Sequence, residues 1–155
     1  MKHMRKQRIQ YFAYGSNLSQ QQITERCPDS TLIGPGKMRG FKLVFTHYSP
    51  RWQGGVADIS KDPNHDVWGL LYELSQTDLD QLDRYEGHPT VYNRMQTAVQ
   101  SVQGTTIRNA WVYYVVHKEQ FIPPTQKYFN IILEAARTHK FPEAYIAYLK
   151  SIQSQ

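Results

Sequence analysis

The spacing of the apolar runs is the feature that most constrains what this chain can become. Short β-branched and aromatic runs follow one another, separated by Gly- and Pro-rich turn chemistry rather than by long helical stretches. Ile9 to Ala13 reads as a strand that meets Gly15 at once. A short helix then runs through Arg26, with Asn17 or Ser19 as its cap, and Cys27-Pro28-Asp29 ends it. Thr31 to Ile33 reads as a short strand stopped by Gly34-Pro35-Gly36, and Phe41 to Thr46 as the next. Val56 to Ile59 follows the Gly54-Gly55 pair, and Val67 to Leu74 follows the turn residues Asp62-Pro63-Asn64.

The second half continues in the same way. Ser75-Gln76-Thr77-Asp78 has capping-box spacing, with Asp in place of Glu, and opens a helix that puts Leu79 and Leu82 on the core side. That pattern runs out at Tyr85-Glu86-Gly87. Val91 to Val102 and Ile107 to Val116 form a hairpin about Gly104. Pro123-Pro124 starts a helix with Tyr128, Ile131, Ile132 and Ala135 on one stripe, and Pro142 opens a last one with Tyr145, Tyr148 and Leu149. The sum is about six strands interrupted by short helices, without a strict βαβ rhythm; this predicts an α+β fold built on a curved sheet or small barrel.

The 155 residues suit a single domain. We expect residues 1–8 to be a basic flexible tail and residues 9–155 the folded unit. The net charge of +5 raises the question of a nucleic-acid partner. Lys2, Arg5, Lys6 and Arg8 carry most of it, so the body is close to neutral and no nucleic-acid partner is expected. Trp52, Trp68, Trp111 and the 11 tyrosines could stack on bases, but no interleaving of basic and aromatic residues accompanies them. Core and pocket lining explain them more cheaply. No apolar run approaches the ~20 residues of a membrane span, and no signal-peptide core follows the basic start. The single Cys27 excludes an intramolecular disulfide framework. A soluble cytoplasmic protein, with no membrane partner, is expected.

The most informative stretch is Tyr11-Phe12-Ala13-Tyr14-Gly15-Ser16-Asn17-Leu18. Where a strand breaks at Gly15 and a helix begins near Ser19, the N–H groups between lack intrahelical partners. The backbone of Ser16, Asn17 and Leu18 then offers donors to a carboxylate or phosphate, and Gly15 lets a ligand approach. An ordinary strand-to-helix turn capped by Asn17 fits the same spacing. A P-loop does not, since no Gly-Lys-Ser/Thr follows.

Glu86 is the second candidate. It ends an amphipathic helix between Tyr85 and Gly87, with Tyr92 near in sequence. A carboxyl desolvated among aromatic groups can serve as base and then as acid near neutrality. A solvated Glu in a helix C-terminal turn is the plain alternative. The six histidines show no metal-ligand spacing and Cys27 stands alone, so no metal is expected. Ser16 lacks the surroundings of a nucleophile elbow.

Taken in order, these stretches resemble the gamma-glutamylcyclotransferase family. Tyr11 to Leu18 is similar to its Tyr-Gly-Ser-Asn-Leu loop, and Trp52-Gln53-Gly54-Gly55-Val56 to its Gly-Gly strand. Val67-Trp68-Gly69 is similar to its Val-Trp-Gly strand, and Leu82-Asp83-Arg84-Tyr85-Glu86-Gly87 to its Leu-Asp-x-x-Glu-Gly segment. The Pro123-Pro124, Tyr128, Phe141-Pro142 and Tyr145 pattern resembles the C-terminal helices of the animal-type branch.

The resemblance implies a small mixed β-barrel with flanking helices, no cofactor, and release of 5-oxoproline from a γ-glutamyl amide. It implies Glu86 as the catalytic base and acid. Tyr11, Tyr14, Gly15, Ser16, Asn17, Leu18, Tyr92 and Tyr128 are then the substrate-binding residues. Two departures stand out: Trp111 falls where the animal enzymes have a pocket Tyr, with Tyr113 and Tyr114 close by, and Glu134 replaces a Gly before Ala135. The family includes dimers, so a homodimer is compatible with the resemblance. A non-catalytic module that kept the anion-binding loop is the alternative reading.

Overall fold

The computed structural model describes residues 8–102 and 107–153. The Gly104 turn and residues 1–7 of the basic tail lie outside the described residues. Five strands and four α-helices run in the order β1 (Ile9–Ala13), α1 (Gln20–Arg26), β2 (Thr31–Ser49), β3 (Gly54–Leu74), α2 (Gln76–Glu86), β4 (Tyr92–Ser101), β5 (Ile107–Val115), α3 (Gln126–Thr138) and α4 (Glu143–Gln153). A 3-10 turn, Ser16–Leu18, joins β1 to α1. The strands close a barrel in the order β1-β3-β2-β4-β5. Closure comes from a parallel contact between β5 and β1, with Trp111 opposite Tyr11, while the other pairs are antiparallel.

The expected α+β barrel is present, with five strands where the sequence suggests about six. The difference lies in two stretches of turn chemistry that do not reverse the chain. Gly34-Pro35-Gly36 sits inside β2, and Asp62-Pro63-Asn64 inside β3. Pro35 has no N–H to give, but its carbonyl accepts from Val102 N–H at 3.1 Å. At Asp62 the carboxylate takes the Asn64 N–H at 3.0 Å, a local turn absorbed as a bulge where Arg39 pairs with Asp66 and Phe41 with Lys61. Register shifts at Leu32/Gly34, Arg39/Phe41 and Phe45/His47 bend β2, which lets two long strands wrap the barrel. Arg8, read as part of the tail, is docked: its Nη2 donates to Asp29 O at 3.0 Å and to Glu73 O at 3.1 Å.

Local caps agree with the sequence. Ser19, rather than Asn17, caps α1 by accepting from Gln22 N–H. Ser75 and Asp78 complete the capping box of α2. Thr125 caps α3 through Tyr128 N–H. Leu79 and Leu82 are buried as expected, and α3 buries Phe129, Ile132, Leu133 and Ala136 along with Tyr128. The Tyr148 hydroxyl donates to Leu43 O at 2.7 Å, which fastens α4 to the barrel wall.

One feature of the barrel positions the functional residues. β1 pairs only with the Leu70–Leu74 half of β3. Among the described residues no strand is ladder-paired along that edge of the other half, and its backbone groups find other partners. Gly55 N–H donates to Pro123 O at 2.9 Å. Ala57 N–H donates to the Tyr128 hydroxyl at 3.0 Å, and Ala57 O accepts from the Tyr92 hydroxyl at 2.7 Å. Ile59 O accepts from Lys118 Nζ at 3.2 Å. The buried Asp58 holds the same region together by accepting from Thr46, Val115 N–H and Lys118. At Gly55 any side chain would overlap the Ile122 carbonyl, so this close approach requires glycine.

Candidate active site

A cavity of about 320 Å³ opens at one end of the barrel. The Tyr14–Asn17 loop, the turn between β2 and β3, the end of α2, Tyr92 and Tyr128 enclose it. Of the nine residues singled out from the sequence, Tyr11, Tyr14, Gly15, Ser16, Asn17, Glu86, Tyr92 and Tyr128 line this cavity. Leu18 does not. Its side chain is buried, and its N–H donates back to Gly15 O at 3.0 Å to close the 3-10 turn.

Glu86 is the last residue of α2, and Gly87 stops the helix there by adopting a left-handed conformation (φ 66°). The N–H groups of Gly87 and His88 fold back onto Asp83 and Arg84 carbonyls, which satisfies the helix end and leaves Glu86 at the cavity. Its side chain is 17% exposed. Burial pushes the Glu86 carboxyl up from 4.5 to about 7, against the opposing pull of Arg26 and Arg51. A group in that range is part base and part acid at neutral pH.

The loop is fixed by a chain of side chains. Asn17 donates to the Tyr11 hydroxyl at 2.9 Å, and its Oδ1 accepts from Gln22 at 2.9 Å and from Arg26 at 3.3 Å. Gln22 also reaches Ser16 Oγ at 2.7 Å. The Tyr14 hydroxyl donates to Tyr113 O at 2.6 Å, tying the loop to β5. Burial, the largest influence on each, holds the phenols of Tyr11, Tyr14, Tyr92 and Tyr128 well above their ordinary value. They are neutral hydroxyls near pH 7. Tyr14 and Tyr92 donate their protons to Tyr113 O and Ala57 O, while Tyr11 and Tyr128, which accept from Asn17 and Ala57 N–H, keep theirs to donate to a negatively charged oxygen.

A family model described as the AIG2-like family matches residues 66–149. The gamma-glutamylcyclotransferase of Mus musculus is 31% identical over 148 residues, covering 92% of this chain and 78% of that protein. The chain belongs to the gamma-glutamylcyclotransferase family. The gamma-glutamylcyclotransferase of Homo sapiens is also 31% identical, over 150 residues, with the same coverage. A solved structure of a gamma-glutamyl cyclotransferase superimposes with a TM-score of 0.85 at 29% identity, covering 93% of this chain and 87% of that one.

Within this family frame, the departure at Trp111 acquires a physical meaning. Trp111 does not line the cavity; its ring lies under the Arg94 guanidinium at 4.2 Å. Tyr113, two residues along β5, lines it instead, with its hydroxyl donating to Asp83 Oδ1 at 2.7 Å. Asp83 also holds Arg94 through two hydrogen bonds of 2.9 and 3.1 Å. Burial favours the neutral form of Asp83, but these bonds outweigh it and keep the carboxyl below its ordinary value.

Sequence reasoning missed Arg26, Arg51 and Tyr85 as wall residues, and named Tyr113 only as a neighbour of the Trp111 position, together with Tyr114, which does not line the cavity. Only three-dimensional convergence reveals these wall residues, since α1, the β2–β3 turn, α2 and β5 are far apart along the chain. Among the described residues no group of three or more His, Cys, Asp or Glu could hold a metal ion. No helix among them is long and apolar enough to cross a membrane.

Proposed function

We propose that the chain is a gamma-glutamyl cyclotransferase that releases 5-oxoproline from a γ-glutamyl amide, with Glu86 carrying the proton. The observation that carries this reading is the Glu86 carboxyl at the wall of the cavity, raised to about 7 and facing a loop rich in donors. The α-amine of the glutamyl group attacks its own γ-carbonyl carbon, and the new C–N bond closes a five-membered lactam. Glu86 takes the proton that the amine sheds. As the tetrahedral intermediate collapses, the original C–N bond breaks and Glu86 returns that proton to the departing amine. The balance consumes no water and needs no electron carrier.

The rest of the wall would hold the chain folded for this attack, an arrangement that can contribute several kcal/mol when the geometry is right. Asn17 N–H precedes the first bond of the 3-10 turn. With the phenols of Tyr11 and Tyr128, which accept from Asn17 and Ala57 and so keep their own protons, it supplies donors for the glutamyl carboxylate and for the developing oxyanion. Tyr128 suits the second task, because accepting from Ala57 N–H leaves its own proton to donate. The lone, buried Cys27 fits a reducing compartment, and we place the enzyme in the cytoplasm.

The direct test is mass-spectrometric detection of 5-oxoproline from γ-glutamyl amino acids, γ-glutamylamines and glutathione. Formation of 5-oxoproline from at least one class is expected. Its absence from all three would count against the reading.

A further inference from the structure

Among the described residues Glu86 is the only acid in the cavity wall, whereas Arg26, Arg51 and Arg84 all reach it. A γ-glutamyl head group carries one ammonium and one carboxylate, so it does not by itself call for such an excess of cations. Arg26 is already committed. Its side chain is 6% exposed, it donates to Asn17, and it stands beside Glu86.

Arg51 is placed differently. It lies on the turn between β2 and β3, exposed to solvent. Its guanidinium carbon is 5.9 Å from the centroid of the Tyr85 ring, which also carries Arg26 at 4.5 Å. Among the described residues it has no carboxylate within ion-pair distance. The adjoining Trp52 packs edge-on to Tyr128 at 5.1 Å, so the turn is anchored to α3 and keeps Arg51 at the cavity mouth. Ring closure needs the α-amine at Glu86, so the glutamyl head must enter first. The leaving group then points outward, past Arg51.

We propose that Arg51 determines specificity by binding a carboxylate on the leaving group, so that amides releasing an amino acid are favoured over amides releasing an uncharged-tail amine. This rests on the cyclotransferase reading above. A guanidinium pairs with a carboxylate through two parallel hydrogen bonds, which gives direction as well as attraction. Tyr85 keeps the guanidinium waiting at the mouth, which reduces the ordering needed on binding.

The test compares kcat/KM for γ-glutamylalanine and γ-glutamylethylamine, which differ by that one carboxylate, in wild type, Arg51→Gln and Arg51→Lys. Wild type should favour γ-glutamylalanine by about tenfold or more, and added salt should narrow the ratio. In Arg51→Gln the ratio should fall to within about twofold of unity, while Arg51→Lys should keep part of it. A ratio unmoved by Arg51→Gln, or no preference in wild type, would overturn the assignment while leaving the cyclotransferase reading intact. No 5-oxoproline from either substrate would remove both.

Discussion

Arg26 Nη1 stands 3.9 Å from Glu86 Oε1, beyond hydrogen-bond reach but well within electrostatic range. The spacing matters because burial and Arg26 pull the Glu86 proton in opposite directions. A direct hydrogen-bonded pair would stabilise the carboxylate further and spoil it as a base near neutrality. Without the cation, burial would act unopposed by its strongest counterweight. Replacing Arg26 by Met should therefore raise the Glu86 carboxyl further, moving the rising limb of the kcat/KM profile upward by about one pH unit. A pH–rate series on the variant checks this.

The same carboxyl predicts a cost in stability. Its folded value of about 7 lies above the ordinary 4.5, so between these values the native state holds the proton more tightly than the unfolded chain does. Stability contributed below pH 4.5 is thus lost as pH rises through 7. Glu86→Gln does not titrate, so it should gain about 2 kcal/mol relative to wild type between pH 5 and pH 8. Urea unfolding of both proteins at the two pH values measures the difference.

Tyr128 serves the fold and the cavity at once. Tyr128→Phe removes the acceptor for Ala57 N–H on the edge of β3 that β1 leaves unpaired. The orphaned donor should cost about 1–2 kcal/mol. Turnover should fall by about tenfold or more if the hydroxyl also stabilises the oxyanion. Thermal unfolding and steady-state kinetics on the same preparation separate these effects.

Gly55 tests how the edge of β3 is closed. A methyl group there would overlap the Ile122 carbonyl and push away the segment whose Pro123 O accepts the Gly55 N–H. Gly55→Ala should destabilise the protein by about 2 kcal/mol. Amide exchange should show the loss as faster opening of Gly55 and of the residues around Tyr128.

Short-range chemistry was legible where it acts locally. The capping box of Ser75 and Asp78 and the strand-to-helix break at Gly15 could be read directly, because each depends on a few adjacent residues. Turn chemistry misled where tertiary pairing absorbed it. Gly34-Pro35-Gly36 and Asp62-Pro63-Asn64 look like chain reversals, but β3 and β2 pair across them. Glu86 and, from the loop, Tyr11, Tyr14, Gly15, Ser16, Asn17 and Leu18 were legible as candidates, and all of these but Leu18 meet at one cavity. The position of Arg51 was not legible, nor was the choice of Tyr113 over Tyr114 as the wall residue, because both depend on how distant strands close the barrel, and a closure between β1 and β5 leaves no local pattern.

The central claim is that Glu86 carries the proton in 5-oxoproline formation. The measurement that tests it most directly is the rate of 5-oxoproline release by wild type and Glu86→Gln on the best substrate, with folding verified for both. The account predicts a fall of about 10³-fold in kcat, with the variant still folded and at least as stable at pH 8. A folded Glu86→Gln variant that turns over at close to the wild-type rate would contradict it.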